Sequence, residues 1–314
     1  MHQSKPPVWR SSRSSKRCLV AEKGACPALS AGIVEGNLSN LVVRLISALI
    51  LAPIVIGIAW LGGWPLFFMT VFLTLCIMHE WFQISHCADN PIIKFAAFAV
   101  LMLGLYMVQI GYVALALLLV LAFALSMLLW RIRSANKYWL SAGCLYAAGF
   151  GYSLVFLRNQ PEMGLFLLIF VVAIVWSTDV FAYFTGRLLK GPKLAPKISP
   201  GKTWSGAIGG LVAGILASYL VVLGWYGQEV AGQGTFGVLF WGAALSGFSQ
   251  LGDLFESWVK RKFGVKDSGK IIPGHGGVMD RVDGLLFALA LAFVLMISAV
   301  PNFPITIMPQ QTIN

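Results

Sequence analysis

The residues best equipped for chemistry crowd into one stretch, Asp253 to Gly284. Five of the chain's 12 acidic residues are there (Asp253, Glu256, Asp267, Asp280 and Asp283), with six of its 23 Lys and Arg: Lys260, Arg261, Lys262, Lys266, Lys270 and Arg281. Carboxylates interleaved with cations between two apolar runs suit a polyphosphate and a divalent metal at a membrane surface. Mg²⁺ prefers hard oxygen ligands, usually one or two carboxylates, and lets waters and substrate phosphates complete its shell. Asp280 and Asp283 are three apart and share a face if that turn is helical. Asp253, from the apolar run before, completes a one- or two-metal centre that would clamp the attacking and leaving oxygens of a phosphoryl or nucleotidyl transfer. The other reading of Asp280 and Asp283 is ion pairing with Arg281 or Lys260, or capping of the helix that follows.

Two glycine-bearing segments accompany the carboxylates. In Pro273-Gly274-His275-Gly276-Gly277 the glycines let backbone N–H groups approach a phosphate closely. His275 either contacts phosphate and assists proton transfer or is a structural loop histidine. A lipase-type oxyanion loop is excluded, because the chain holds no Gly-x-Ser-x-Gly. The second segment, Ile198 to Trp204, has the Gly-Lys-Thr of a P-loop, but Pro196 stands where the first glycine is required. What survives is simpler. Ser199, Lys202 and Thr203 are phosphate-binding donors at the N-terminus of a helix, where the dipole also favours anions.

The elements that position these groups are membrane helices. The chain is 58% hydrophobic and 11% charged, with mean hydropathy +0.80, whereas soluble domains carry roughly 25% charged residues. Apolar runs fall near 41–62, 64–84, 93–110, 111–130, 139–157, 164–185, 204–224, 235–256 and 284–300. The expected fold is therefore all-α, a polytopic transmembrane bundle of about nine spans. With a cytoplasmic N-terminus, 22 of the 23 Lys and Arg fall on the cytoplasmic side and only Arg158 outside, the split that the positive-inside rule favours. The net charge of +11 thus reports topology and attraction to anionic lipid, not a nucleic-acid partner. Both polar loops, 186–203 and 257–283, face the cytoplasm, where nucleotides are.

Acidic residues within spans are costly and mark function. Glu80, Asp179, Asp253 and Glu256 qualify, and Asp179 and Asp253 lie near the cytoplasmic ends of their spans, beside the two loops. Residues 1–40 are polar, basic and Ser-rich, without the roughly 7–15-residue apolar core of a secretory signal. They read as a disordered tail or as a reading frame that starts nearer Asn40, with a Ser/Arg-rich transit peptide as a third option. The membrane-embedded domain is placed at 41–300 and a short non-cytoplasmic tail at 301–314. Gly206, Gly210 and Gly214 share one helix face, for packing within the chain or for a homodimer. The five cysteines show no metal-binding spacing, and Cys76 and Cys144 read as buried apolar thiols.

The stretch resembles the signature of the phosphatidate cytidylyltransferases, or CDP-diacylglycerol synthases. It matches at Ser257, Lys260-Arg261, Lys266-Asp267, His275-Gly276-Gly277, Asp280-Arg281 and Asp283 without gap or substitution, preceded by the family's Gly-Asp-Leu-x-Glu-Ser at Gly252 to Ser257. Weaker matches at Glu80-Trp81, Asp179 through Gly186, and Ser199 through Gly206 extend the likeness over most of 40–300. Ser205 departs from the family, which often has an acid or amide there.

The resemblance implies that CTP and phosphatidate react, with Mg²⁺ and a second metal ion as an option, to give CDP-diacylglycerol and pyrophosphate in the bacterial inner membrane. It implies metal ligation by Asp253 and Asp280 with Asp283 close by; Asp179 is placed in the same pocket. Lys260, Arg261, Lys266, Asp267, His275 and Arg281 are the expected catalytic set. Ser199, Lys202, Thr203, Ser257, Gly276 and Gly277 are the expected substrate contacts. Other CTP-dependent lipid or polyprenol phosphotransferases are the alternative. A CDP-alcohol phosphotransferase fails because Leu285-Leu286-Phe287 follows Asp283-Gly284. A transporter would place its acids mid-span in repeated halves, and no such repeat is present.

Overall fold

The computed structural model describes residues 53–87, 90–129, 137–228, 234–269, 271 and 276–298. The readings for 1–40, for 301–314 and for His275 lie outside those residues. After a helical stretch at 53–61 come α1 (Gly63–Ser85), α2 (Pro91–Gln109), α3 (Val113–Leu129), α4 (Lys137–Arg158) and α5 (Gly164–Leu189). A two-stranded hairpin follows, β1 (Lys193–Ala195) and β2 (Ser199–Thr203), then α6 (Trp204–Tyr226), α7 (Thr235–Lys262) and α8 (Met279–Ile297). Each helix overlies an apolar run. Five of them, α1, α2, α4, α5 and α6, are long and apolar enough to cross a membrane, and α3 is equally apolar at 17 residues. Their outer faces present large apolar side chains such as Phe68, Phe72, Leu118 and Leu220, each more than half exposed. Soluble surfaces rarely carry such continuous apolar area.

Helix boundaries follow local chemistry. At α2, Pro91 occupies the first turn and the Asn90 side chain accepts from the Ile92 N–H at 2.8 Å, satisfying a donor the helix cannot. Gly111, at φ 92°, breaks the long apolar stretch into α2 and α3, because few other residues adopt a left-handed turn. Arg158, the one basic residue assigned outside, is occupied by structure. It donates through Nε to the Ala59 carbonyl at 2.9 Å and through an Nη to Trp60 at 2.7 Å, closing the end of the 53–61 helix.

The Gly206, Gly210 and Gly214 stripe faces inward. A methyl on Gly206 or Gly210 would come within 2.7 Å of the Ala182 or Thr178 carbonyl of α5, and one on Gly214 would meet Thr178 and Ser246. The stripe seats α6 against α5 and, at Gly214, against α7, where Thr178 and Ser246 share a hydrogen bond of 2.7 Å. Intramolecular packing therefore uses this face, and a homodimer would need another. Cys144 is buried as expected, while Cys76 is half-buried.

The 186–203 segment departs from the expected all-α fold by forming the hairpin. Lys193 pairs with Thr203 and Ala195 with Ser199, antiparallel, around a turn closed by the Ile198 N–H on the Ala195 carbonyl at 3.1 Å. Strands this short, one containing Pro200, carry no readable two-residue period.

Candidate active site

Two close approaches bring the carboxylates together. A methyl on Gly252 would lie 2.5 Å from the Asp283 carbonyl oxygen, and one on Gly284 would lie 2.7 Å from the Ser249 hydroxyl. Helices α7 and α8 thus touch backbone to backbone beside Asp253 and Asp283. Gly252→Ala is accordingly expected to force the helices apart at a cost of about 1–3 kcal/mol. Turnover should fall by about 10²-fold, since a 1 Å misplacement of reacting groups costs that much. Thermal unfolding in detergent and steady-state rates check both, and a fully active variant would show that this contact does not set the site.

A cavity of about 790 Å³ opens between α5, the hairpin, α6 and α7. Asp179 and Asp253 line it, with four cations, Arg187, Lys190, Lys193 and Lys202, and Gln250. Lys202 Nζ lies 2.5 Å from the Asp253 carboxylate, whose other oxygen accepts from Ser257 at 3.4 Å. Arg187 is held by a hydrogen bond to the Tyr183 hydroxyl at 2.7 Å. Cations outnumbering carboxylates around one space suit a polyanion, which brings its own negative charge.

A second cluster adjoins at the start of α8. Lys260 Nζ bridges Glu256 at 3.0 Å and Asp280 at 2.8 Å. Asp280 also accepts from the Ser268 N–H at 3.0 Å and the Gly277 N–H at 3.1 Å. Burial would raise the Asp280 carboxyl, but contacts from Glu256, Lys260 and the Ser268 N–H outweigh it and hold the group at about 2. Asp283, ahead of the apolar part of α8, behaves oppositely. Burial and then the Asp253 charge push it up to about 6, against the Gly284 N–H and Lys202. Asp280 is thus well supplied with partners, whereas burial outweighs those of Asp283, which include the Gly284 N–H at 2.8 Å.

The expected site residues divide accordingly. Asp179, Asp253, Lys202 and Thr203 line the cavity, whereas Asp283 does not and is reached only by the Asp253 charge. Lys260, Asp280 and Gly277 form the second cluster, and Gly276 takes the φ of 86° that its turn requires. Asp280 realises the reading that sequence left open, an ion pair with Lys260. The Thr203 hydroxyl is engaged as the N-cap of α6, accepting from the Gly206 N–H at 3.1 Å. Ser199 belongs to the hairpin and does not line the cavity. Arg261 turns to the hairpin, its Nε 3.3 Å from the Ile198 carbonyl. Lys266, Asp267 and Arg281 are exposed. Ser205 donates to the Lys190 carbonyl, so the residue that departs from the family pattern ties the start of α6 to the exit of α5.

Along the chain Arg187, Lys190 and Lys193 carry only a topological signal. They differ from other loop cations in their neighbours, which the hairpin supplies. Glu80 stands out along the chain only as an acid within a span, because its partners Ser268, Val278 and Met279 lie near the opposite end of the chain.

A helical membrane bundle with carboxylates and cations around one cavity is of the class of membrane-embedded enzymes that work on phosphate esters. Comparison with known proteins makes this particular. The model of the cytidylyltransferase family matches residues 42–299. A phosphatidate cytidylyltransferase of Brucella suis is 40% identical over 268 residues, covering 85% of this chain and 97% of that protein. Those of Rickettsia bellii and Staphylococcus haemolyticus are 32% and 34% identical, over 82% and 81% of this chain. The chain belongs to the cytidylyltransferase family.

Proposed function

We propose that this protein transfers the CMP moiety of CTP to phosphatidate, releasing pyrophosphate and leaving CDP-diacylglycerol. The observation that carries this reading is the cavity in which Asp179 and Asp253 stand among Arg187, Lys190, Lys193 and Lys202, in a chain 40% identical to a phosphatidate cytidylyltransferase over most of its length. The nucleophile is an oxygen of the lipid phosphate. It attacks the α-phosphorus of CTP, the bond from that phosphorus to the β-bridging oxygen breaks, and the electron pair leaves with pyrophosphate. The attacking phosphate is already ionised at neutral pH, so the protein needs no strong base. Its task is to hold two anions together in line. Lys202, Arg187, Lys190 and Lys193 offset the charge of the polyphosphate, and Lys260 keeps Asp280 and Glu256 from adding to it.

The residues fit Mg²⁺. Asp179 and Asp253 offer hard carboxylate oxygens at a cavity lined by phosphate-binding cations, and Asp283, raised first by burial and then by the Asp253 charge, lies within electrostatic reach of them. Among the described residues, no three His, Cys, Asp or Glu side chains converge tightly enough to hold a metal unaided. Mg²⁺ takes only one or two carboxylates in nucleotide sites and completes its shell from phosphates and water. Asp253 and Asp283 would hold it, with Asp179 at the same cavity and Asp280 three residues before Asp283 on α8 as a further candidate ligand. When bound, it would neutralise charge on the transferring phosphate.

We place the site on the cytoplasmic face of a bacterial inner membrane, in a bundle of nine spans with a cytoplasmic N-terminus. The distribution of Lys and Arg supports this, and Arg158, its one exception, has a structural task. The test is an assay of detergent-solubilised protein with labelled CTP and phosphatidate. CDP-lipid and pyrophosphate should appear in equal amounts and vanish with EDTA. No CDP-lipid would defeat the activity, and undiminished product in EDTA would defeat the metal.

A further inference from the structure

Glu80 lies on α1, none of whose residues lines the cavity, and is fully buried. Among the described residues no Lys or Arg forms an ion pair with it. Its carboxylate instead accepts three hydrogen bonds from the other end of the chain. The Val278 and Met279 N–H groups donate at 2.8 Å each, and the Ser268 hydroxyl donates at 3.0 Å. Val278 and Met279 begin α8, so these N–H groups have no partner within the helix. Glu80 caps α8 from another helix, where the helix dipole also favours a negative charge.

The fit is close. A methyl on Gly277 or Gly269 would lie 2.7 Å from a Glu80 oxygen, so side chains at these positions would expel the carboxylate. Asp280 grips neighbouring groups of the same segment, through the Ser268 and Gly277 N–H groups. Two carboxylates on different helices therefore hold one turn of chain between them. The scaffold behind Glu80 is firm. Trp81 is fully buried, and its indole N–H donates to the Trp139 carbonyl of α4 at 2.7 Å.

We infer that Glu80 is a positioning residue for the transfer reaction. It sets the start of α8, and through it the placement of Asp280 and Asp283 against Asp253. Its effect on catalysis rests on the function proposed above, whereas its hold on α8 does not. This gives helices that never reach the cavity a definite role in the chemistry.

Glu80→Gln tests it. The amide keeps the size but turns an N–H₂ toward one of the two backbone donors, leaving that donor unpaired. In the solubilised variant, hydrogen–deuterium exchange of the peptide covering 276–285 should quicken by about tenfold, as expected for a lost buried hydrogen bond, while peptides of α5 and α6 stay unchanged. In the same preparation kcat should fall by about 10- to 100-fold with KM for CTP moving less than about threefold, the signature of misplaced groups. Ser268→Ala, which removes one of the three bonds, should shift both readouts the same way by less and serves if Glu80→Gln does not fold. Unchanged exchange at 276–285, or faster exchange with unaltered kcat, would overturn the proposal. A parent protein that makes no CDP-lipid would instead sink the function reading, and the exchange arm would still decide whether Glu80 holds α8.

Discussion

Asp253→Asn is expected to lower CMP transfer by roughly 10³-fold, the upper range for removing one preorganised electrostatic group from an active site. The size follows from placement. Asp253 lines the cavity, pairs with the Lys202 ammonium and acts by its charge on Asp283, so it bears on both the proposed cation site and the phosphates. The direction of KM is more telling than the loss itself. Asparagine frees Lys202 from its 2.5 Å partner, and a freed ammonium binds polyphosphate at least as well. KM for CTP should therefore not rise while kcat collapses, and a level KM would be the pattern of an interaction made only in the transition state. Stability should change little, because the pair is partly exposed and such pairs contribute about 0–1 kcal/mol. Steady-state kinetics on solubilised protein check this, and a raised KM with intact kcat would make Asp253 a simple substrate contact.

Asp280→Asn should be nearly as damaging to turnover, at about 10²-fold or more, but through a different route. The parent carboxylate accepts from Lys260, the Ser268 N–H and the Gly277 N–H. An asparagine must turn its N–H₂ toward one of these donors, leaving a donor unpaired at a cost of about 1–3 kcal/mol. Unlike Asp253→Asn, this variant should melt earlier. The pH dependence has a definite sign. The folded carboxyl is held down at about 2, below the ordinary value of about 3.9. Its stabilisation is thus complete above the ordinary value and is lost as pH falls toward 2. The gap in melting temperature between parent and variant should be widest at neutral pH and narrow in acid. A gap that is absent at neutral pH would show that Lys260 and the loop do not depend on this charge.

Much of the site was legible from residue type and spacing. The carboxylates between Asp253 and Asp283, the cations among them, and the Lys202 segment at a helix start could all be read along the chain. Partners separated by long intervals could not. Lys202 meets Asp253, and Glu80 meets residues 188 to 199 positions away; neither spacing leaves a periodic trace. The hairpin was missed because two short strands with a proline between helices look like any polar loop. Its consequence is large, since it turns Lys193 into the cavity beside Lys202 and Arg187. The Gly206 stripe could be read as a contact surface, but its partner was decided only by α5.

By itself the sequence determined the class of molecule and the type of chemistry. Apolar runs of membrane length, with basic residues between them and acids gathered at their ends, are written along the chain, because the cost of placing charge in a membrane is paid residue by residue. The tertiary structure alone decided which acid meets which cation. It placed Asp253 with Lys202, Asp280 with Lys260, and Glu80 on the first N–H groups of α8. Close helix contacts at Gly252 and Gly284, and the room Gly277 leaves for the Glu80 carboxylate, accompany these pairings, and hydrogen-bond geometry is set by tenths of an ångström that no linear pattern encodes.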